Sequence, residues 1–332
     1  MNTRKTLVRG SLGLAGAAVL AIGLVGPAAA ATGSAFVLND TLTVSTGSGH
    51  DRLALRLAAG APGTLEVDFD DNGSADRSFD RNTFSAITVF LGSGNDTFRV
   101  DQVNGAFADE ALSIDGGSGD DAMNGGDGAE KFRGGSGSDA VDGNRGDDAA
   151  YLGSGSDAFR WDPGDGSDLV EGDSGTDTLD FNGAGANEIM QLIPNGQRTL
   201  FLRDVANIRM DMDNVERLDL TALGGTDTVT IDDMSGTDFR RALVDLSGAT
   251  GGGDGAADVV TVNGTQNADQ VDVVTDGAAV VVQGLPTQTR ISGSEPIDEL
   301  RLNTLGGNDT VDVADDVRTL IGVTVDLGSG QA

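Results

Sequence analysis

The chain of 332 residues has no cysteine, one histidine, one tryptophan and one tyrosine, and aromatics make up only 4% of it. Without cysteine there is neither a disulfide staple nor a thiol nucleophile. A single histidine cannot supply the paired imidazoles of a zinc site or a metalloprotease helix. Basic residues are scarce as well, 21 against 53 acidic, giving a formal charge of −32. That balance repels nucleic acid and anionic membrane surfaces. Few aromatics beside 51 glycines argue against one large globular core, yet a hydrophobic content of 38% is too high for a disordered polyanion. Such a chain must neutralise much of its own charge to become compact.

What is present begins with an address. Arg4, Lys5 and Arg9 precede an apolar stretch from Leu12 to Val25, followed by Pro27 and Ala28-Ala29-Ala30-Ala31. This is the layout of a cleavable secretory signal peptide. The apolar run is short for the ~20 residues of a membrane span, and no cysteine follows it to carry a lipid. Residues 1–30 are therefore set apart from the fold. Their loss takes three positive charges away and leaves −35 on a chain expected to be secreted, extracellular or at the cell surface, with no membrane span.

Between Gly116 and Asp180 seven nonapeptides overlay one another, beginning at Gly116, Gly125, Gly134, Gly143, Leu152, Pro163 and Gly172. The first five are contiguous, and Trp161-Asp162 intervenes before the last two. Position four is always glycine. Position six is always acidic: Asp121, Glu130, Asp139, Asp148, Asp157, Asp168 and Asp177. Position eight is always apolar: Met123, Phe132, Val141, Ala150, Phe159, Val170 and Leu179. The glycines permit positive φ and close backbone approach, so the first six residues can curl and turn carbonyl oxygens inward beneath the carboxylate. Calcium, a hard cation taking ~6–8 oxygens from carboxylates and carbonyls, suits such a curl.

The pattern G-G-x-G-x-D-x-U-x resembles the haemolysin-type calcium-binding repeats of the RTX family, over about a fifth of the chain. The resemblance implies a parallel β-roll in which one nonapeptide is a turn plus a short strand and two make a coil. Ions would then lie between turns stacked on the same side. Asp121, Asp139, Asp157 and Asp177 would line one edge, and Glu130, Asp148 and Asp168 the other. The carbonyls of Gly117, Gly119, Gly126, Gly128, Gly135, Gly137, Gly146, Gly153 and Gly155 would complete the ligand set, with Ca2+ as the only cofactor. Several repeats depart from the pattern. The extra methylene of Glu130 should misplace its carboxylate, Asn144 and Asp173 replace the second glycine, and Leu152 and Pro163 replace the first. The Trp161-Asp162 insertion should break the 18-residue coil. The sites around Asp121, Asp139, Asp148 and Asp157 are therefore the strongest. The family's toxin and protease activities do not transfer, because no pore-forming or protease module is visible.

The flanks read as looser versions of the same unit. Residues 47–53 and 92–98 each fit G-x-G-x-D-x-U once, ending on Asp51-Arg52-Leu53 and Asp96-Thr97-Phe98. Alternating strands are expected at Leu53/Leu55/Leu57, Leu65/Val67/Phe69, Ile87/Val89 and Leu112/Ile114. Residues 215–231 realign with 297–313 at an offset of 82, with Asp227 and Asp309 in matching turns and Asp258 in a further turn between them. The chain stops partway through a motif, which suggests truncation or a frayed last coil. Asp51, Asp96, Asp227, Asp258 and Asp309 are secondary metal candidates. Asp68-Phe69-Asp70-Asp71-Asn72-Gly73 opens like an EF-hand loop but has Phe79 where the bidentate glutamate belongs, so an acidic hairpin turn is expected. His50 is expected to be a solvated turn residue, Asp147 a surface residue, and residues 207–215 are left open.

The fold expected is all-β: a parallel β-roll (116–181) within a longer irregular β-solenoid or stacked β-sheets, flanked by a 31–115 β region and a 182–332 β region with two copies of the 82-residue unit. The function expected is calcium binding that drives folding after export. The alternative is a calcium-rigidified adhesin or surface-layer component contacting cell-surface glycans or surface proteins. A truncated polysaccharide-acting enzyme stands behind both. One histidine, one tyrosine and a single lysine beyond residue 30 leave almost no general base, so no catalysis is expected.

Overall fold

The apolar position eight of each nonapeptide is followed by a turn, so consecutive strands must lie on opposite walls of a thin core. The computed structural model describes residues 33–328; the expected signal peptide lies outside them. Its strands form two long facing sheets, one of 15 strands and one of 14. Within the repeats, Ala111–Ser118, Lys131–Ser136, Ala149–Gly155 and Leu169–Glu171 pair in parallel in the first sheet. Ala122–Asn124, Ala140–Asp142, Ala158–Trp161 and Thr178–Asn182 pair in parallel in the second. The protein is an all-β parallel β-roll that continues as a solenoid at both ends.

Register follows side-chain pattern, since a one-residue slip would turn every apolar residue to water. Val141 pairs with Met123 and Phe159, and Phe132 with Ile114 and Ala150. All of them are essentially inaccessible to solvent. Burying a side chain of the size of Phe132 or Val141 stabilises by roughly 1.5–3 kcal/mol. The Trp161-Asp162 insertion does not break the stack. It lengthens one coil from 18 to 20 residues while Phe159 still pairs with Leu179 and Trp161 with Phe181. Trp161 is fully buried, stacks on Phe181 with ring centroids 4.1 Å apart, and donates its indole N–H to the Gly166 carbonyl at 2.9 Å. The surplus residues are absorbed because one of them is a large apolar ring that the core can take.

Three antiparallel meanders interrupt the solenoid. Arg52–Ala58, Ala61–Asp68 and Arg77–Asp80 form one at the N-terminal edge of the second sheet. Ile189–Asn195, Arg198–Arg203 and Ile208–Asp213 form another in the first sheet. Gln270–Asp276, Ala279–Gln283 and Gln288–Ser292 form the third, in the second sheet. The residues left open, 207–215, are mostly the last strand of the middle meander. The alternating strands expected upstream are present, with Leu53, Leu55, Leu65, Val67, Ile87, Val89 and Ile114 buried. The 82-residue similarity has a geometric twist: Arg217–Leu223 lies in the second sheet but its counterpart Glu299–Asn303 lies in the first. The offset spans an odd number of half-coils, so the copies face each other across the core rather than stacking. Among the described residues no helix is long and apolar enough to cross a membrane.

Candidate metal centre

Each turn ends on its acidic residue, and stacking coils in register brings these residues into rows. In the longest row the backbone N–H of each acidic residue donates to the carboxylate of the next coil. Asp51 donates to Asp96 at 2.7 Å, Asp96 to Asp121, Asp121 to Asp139 and Asp157 to Asp177 at 2.8 Å, Asp139 to Asp157 at 2.7 Å, and Asp177 to Glu216 at 2.8 Å. On the opposite edge Glu130 donates to Asp148 at 2.7 Å and Asp148 to Asp168 at 2.8 Å. The motifs at Asp51 and Asp96 are thus members of the main row rather than isolated turns. A third row runs Glu188, Asp227, Asp258, Asp298, and a fourth Asp269, Asp309.

These bonds consume one oxygen of each carboxylate. The other is buried and has no hydrogen-bond partner at Asp96, Asp121, Asp139, Asp148, Asp157, Asp177 and Asp227. Its surroundings are oxygen-rich. At Gly134, the position a Cβ would take lies 2.5 Å from Asp139 Oδ2 and 2.3 Å from the Leu152 carbonyl of the next coil. At Gly116 the same point lies 2.6 Å from Asp121 Oδ2 and 2.7 Å from the Gly134 carbonyl. A first-position glycine therefore leaves a space into which a carboxylate and a carbonyl both point, with no donor between them. Two such oxygens repel unless a cation or a proton lies between them.

Gly117, Gly119, Gly135, Gly137, Gly146, Gly153 and Gly155 all have φ between +98° and +153°. A Cβ on Gly135 would lie 2.1 Å from the Gly117 carbonyl, so these carbonyls run in columns along the stack. Gly126 and Gly128 do not share that left-handed conformation. There the longer Glu130 side chain reaches back to accept the Gly126 N–H at 3.0 Å, so its second oxygen is engaged rather than misplaced. Asp309 Oδ2 accepts the Thr304 hydroxyl at 2.7 Å, and the half-buried Asp51 accepts the Gly47 N–H. Among the described residues no three acidic, histidine or cysteine side chains converge on one point, so a bound ion would draw most of its shell from the backbone.

Burial dominates the acid–base behaviour of the rows. It pushes the Asp139 and Asp177 carboxyls up to about 7, Glu130 and Asp168 to about 7, Asp121 to about 6 and Asp148 to about 9, with neighbouring carboxylates adding to the rise. Asp227 is raised to about 7 and Asp258 to about 6 for the same reasons. Among the described residues no arginine or lysine forms an ion pair with any row member from Asp96 to Asp177. His50 stays in an exposed turn and accepts the Asn95 N–H at 2.9 Å.

No protein-family model matches the chain, and no curated protein does. Among solved structures it is similar to the extracellular lipase LipA from Serratia marcescens, at 12% identity with a TM-score of 0.22, covering 65% of this chain and 43% of that one. The chain thus spans under half of that structure, and a likeness so weak fixes neither fold nor activity. The rows stand on their own geometry.

Sequence reasoning missed Glu188, Glu216, Asp269 and Asp298. Each heads the same acidic-x-apolar pair seen in the repeats, as in Glu188-Ile189-Met190 and Asp298-Glu299-Leu300, without the position-four glycine that advertises it. Glu188, Asp269 and Asp298 keep only a first-position glycine, at Gly183, Gly264 and Gly293, with Gly185 besides in the first. Met190, Leu218, Val271 and Leu300 are all buried, so the pair, not the glycine pattern, marks the row.

Proposed function

We propose that the protein binds calcium along these carboxylate rows, and that the ion supplies the positive charge the roll needs to order after export. The observation that carries this reading is the set of buried aspartate Oδ2 atoms without a partner, beside carbonyl oxygens of the next coil. Asp121, Asp139, Asp148, Asp157 and Asp177 would hold the ions by Oδ2, with carbonyls such as those of Gly134 and Leu152 contributing. Carboxylates and carbonyls are the donor set a hard cation prefers, and thiolate or imidazole ligands for a softer metal are lacking in the rows. Each ion would neutralise two charges and pin two coils, so its binding free energy becomes folding free energy. The reading is of an ion-binding protein rather than an enzyme.

Equilibrium dialysis of the mature chain against calcium tests it. The expected result is several ions per chain at sub-millimolar to millimolar concentration, the ~10⁻⁴–10⁻³ M range of extracellular modules. The double substitution Asp139→Asn with Asp157→Asn should lower the count. Uptake of no ions by a chain that is fully ordered in chelator would sink the proposal.

A further inference from the structure

We propose that calcium switches only the middle of this molecule, leaving both ends folded, because the unpartnered carboxylates cluster between Asp96 and Asp177 while most buried carboxylates toward the ends already hold cations, hydroxyls or N–H groups of the chain itself. The inference rests on the calcium reading above and goes beyond it by assigning a boundary.

At the N-terminal end, Asp68 is fully buried yet takes the Arg56 guanidinium at 2.8 Å and the Asn72 and Gly73 N–H groups. Asp71 takes Arg99 at 2.7 Å, and Glu110 takes Arg81 at 2.6 Å. At the C-terminal end the buried Glu188 is paired with the equally buried Arg203, whose guanidinium also lies 5.1 Å from the Trp161 ring. Asp269 and Asp309 take the hydroxyls of Thr265 and Thr304, and Asp298 takes the Glu295 N–H at 2.7 Å.

The apolar packing divides the same way. In the roll, Ala122–Asn124, Ala140–Asp142 and Leu169–Glu171 are strands of 3 residues, each with one inward side chain. The middle meander has strands of 7, 6 and 6 residues that bury Met190, Leu192, Phe201, Met210 and Met212. Local stability follows buried apolar contact and satisfied polar groups. Apart from Asp227 and Asp258, the ends have both without an ion, whereas the middle has a thinner core and leaves most of its row carboxylates unsatisfied. Asp227 has an unpartnered carboxylate oxygen within the C-terminal region. Its neighbour Glu188 is neutralised by Arg203, which confines any effect of the ion there to the Gly224–Gly225 turn. Calcium would then act as a stiffener, converting a slack connection between two folded ends into a continuous rod.

Hydrogen exchange on the full mature chain, in excess calcium and in chelator at mildly alkaline pH, separates the possibilities. Amides of Ala122–Asn124, Ala140–Asp142 and Ala158–Trp161 should lose about 100-fold or more of their protection on chelation. Those of Arg198–Arg203, Ala279–Gln283 and Arg52–Ala58 should change by less than about 3-fold. Loss of protection at the ends together with the middle overturns the inference but leaves the calcium reading standing. Retained protection everywhere, with no ions bound, overturns both. Because the chain has no cysteine, dyes on exposed Ser74→Cys and Ala278→Cys give a second measure. Their separation should broaden on chelation, and an unchanged narrow distribution counts against the stiffener.

Discussion

The roll and the meanders bury the same chemical group at the same place in the coil and neutralise it differently. Glu188 and Asp139 both head an acidic-x-apolar pair, and both are almost inaccessible. Glu188 meets Arg203 from the neighbouring strand of its meander, whereas Asp139 meets no cation and its Oδ2 has no partner. An antiparallel hairpin can bring a guanidinium back across the sheet to a carboxylate a few residues away. A parallel roll stacks like on like, so the row neighbour of an aspartate is another acidic residue. The regularity that makes the roll easy to build thus keeps positive charge out of the rows, and their ordering would become conditional on something outside the chain.

The sharpest way to break this comparison is to withdraw the ion. In calcium the whole solenoid should melt as an ordered structure. In chelator at mildly alkaline pH the strand signal by circular dichroism should fall, and the roll should melt lower by more than about 15 °C, since each site contributes ~1.4 kcal/mol per tenfold excess of ion over its dissociation constant. Identical melting curves would mean the two regions are neutralised alike.

Next in size is the converse experiment on the meander. Arg203→Met leaves Glu188 buried without its partner, which costs about 3–5 kcal/mol, and the loss should be the same in calcium and in chelator. Adding Glu188→Gln should recover most of it. Thermal denaturation of the three proteins measures this, and rescue of Arg203→Met by calcium would show that the meander is not self-sufficient. Smaller is Gly135→Ala, where the φ of +109° and the Gly117 carbonyl 2.1 Å from the new Cβ leave no relaxed solution. A loss of about 1–3 kcal/mol is expected, confined to the roll and read as a lower melting temperature in calcium.

Much of the roll was legible because its period is short and its residue types are constrained: glycine where the backbone turns left-handed, an acid at six, an apolar residue at eight. The assignment of alternate repeats to opposite edges followed from the same period, and the N–H to carboxylate bonds between Asp121, Asp139, Asp157 and Asp177 trace that row. The meanders were not legible as such, because the parallel coils and the antiparallel hairpins share an alternation of apolar residues. The fate of Trp161 could not be read either, since an insertion looks like a break until the stack on Phe181 shows where the ring goes. Nor does sequence separate Glu188 from Asp139: the deciding arginine is 15 residues away, on a strand whose direction depends on the hairpin.

The finest test changes one atom. In Asp139→Asn the retained oxygen still accepts the Asp121 N–H that Asp139 accepts from its neighbour coil at 2.8 Å. The new amide N–H₂ replaces an unpartnered oxygen and faces the Leu152 carbonyl across Gly134. The substitution therefore supplies internally what an ion or a proton supplies to the wild type, and in chelator it should stabilise by about 1 kcal/mol, the usual net value of a hydrogen bond. Its pH dependence fixes the cause. Burial raises the folded-state Asp139 carboxyl to about 7, above its ordinary value of 3.8, so the folded chain binds the proton more tightly than the unfolded one. The stability that this proton contributes is complete below about pH 4 and is lost as pH rises through about 7. Asp71 behaves oppositely: Arg99 holds it below its ordinary value, so its contribution is present above that value and is lost on acidification. In chelator, the advantage of Asp139→Asn should accordingly be small near pH 5 and grow toward pH 8. In saturating calcium it should reverse, because the amide cannot replace a charged ligand. Chemical denaturation at a series of pH values in both conditions measures the crossing, and a pH-independent difference would place the orphaned oxygen in contact with a donor and remove the distinction between roll and meander at this site.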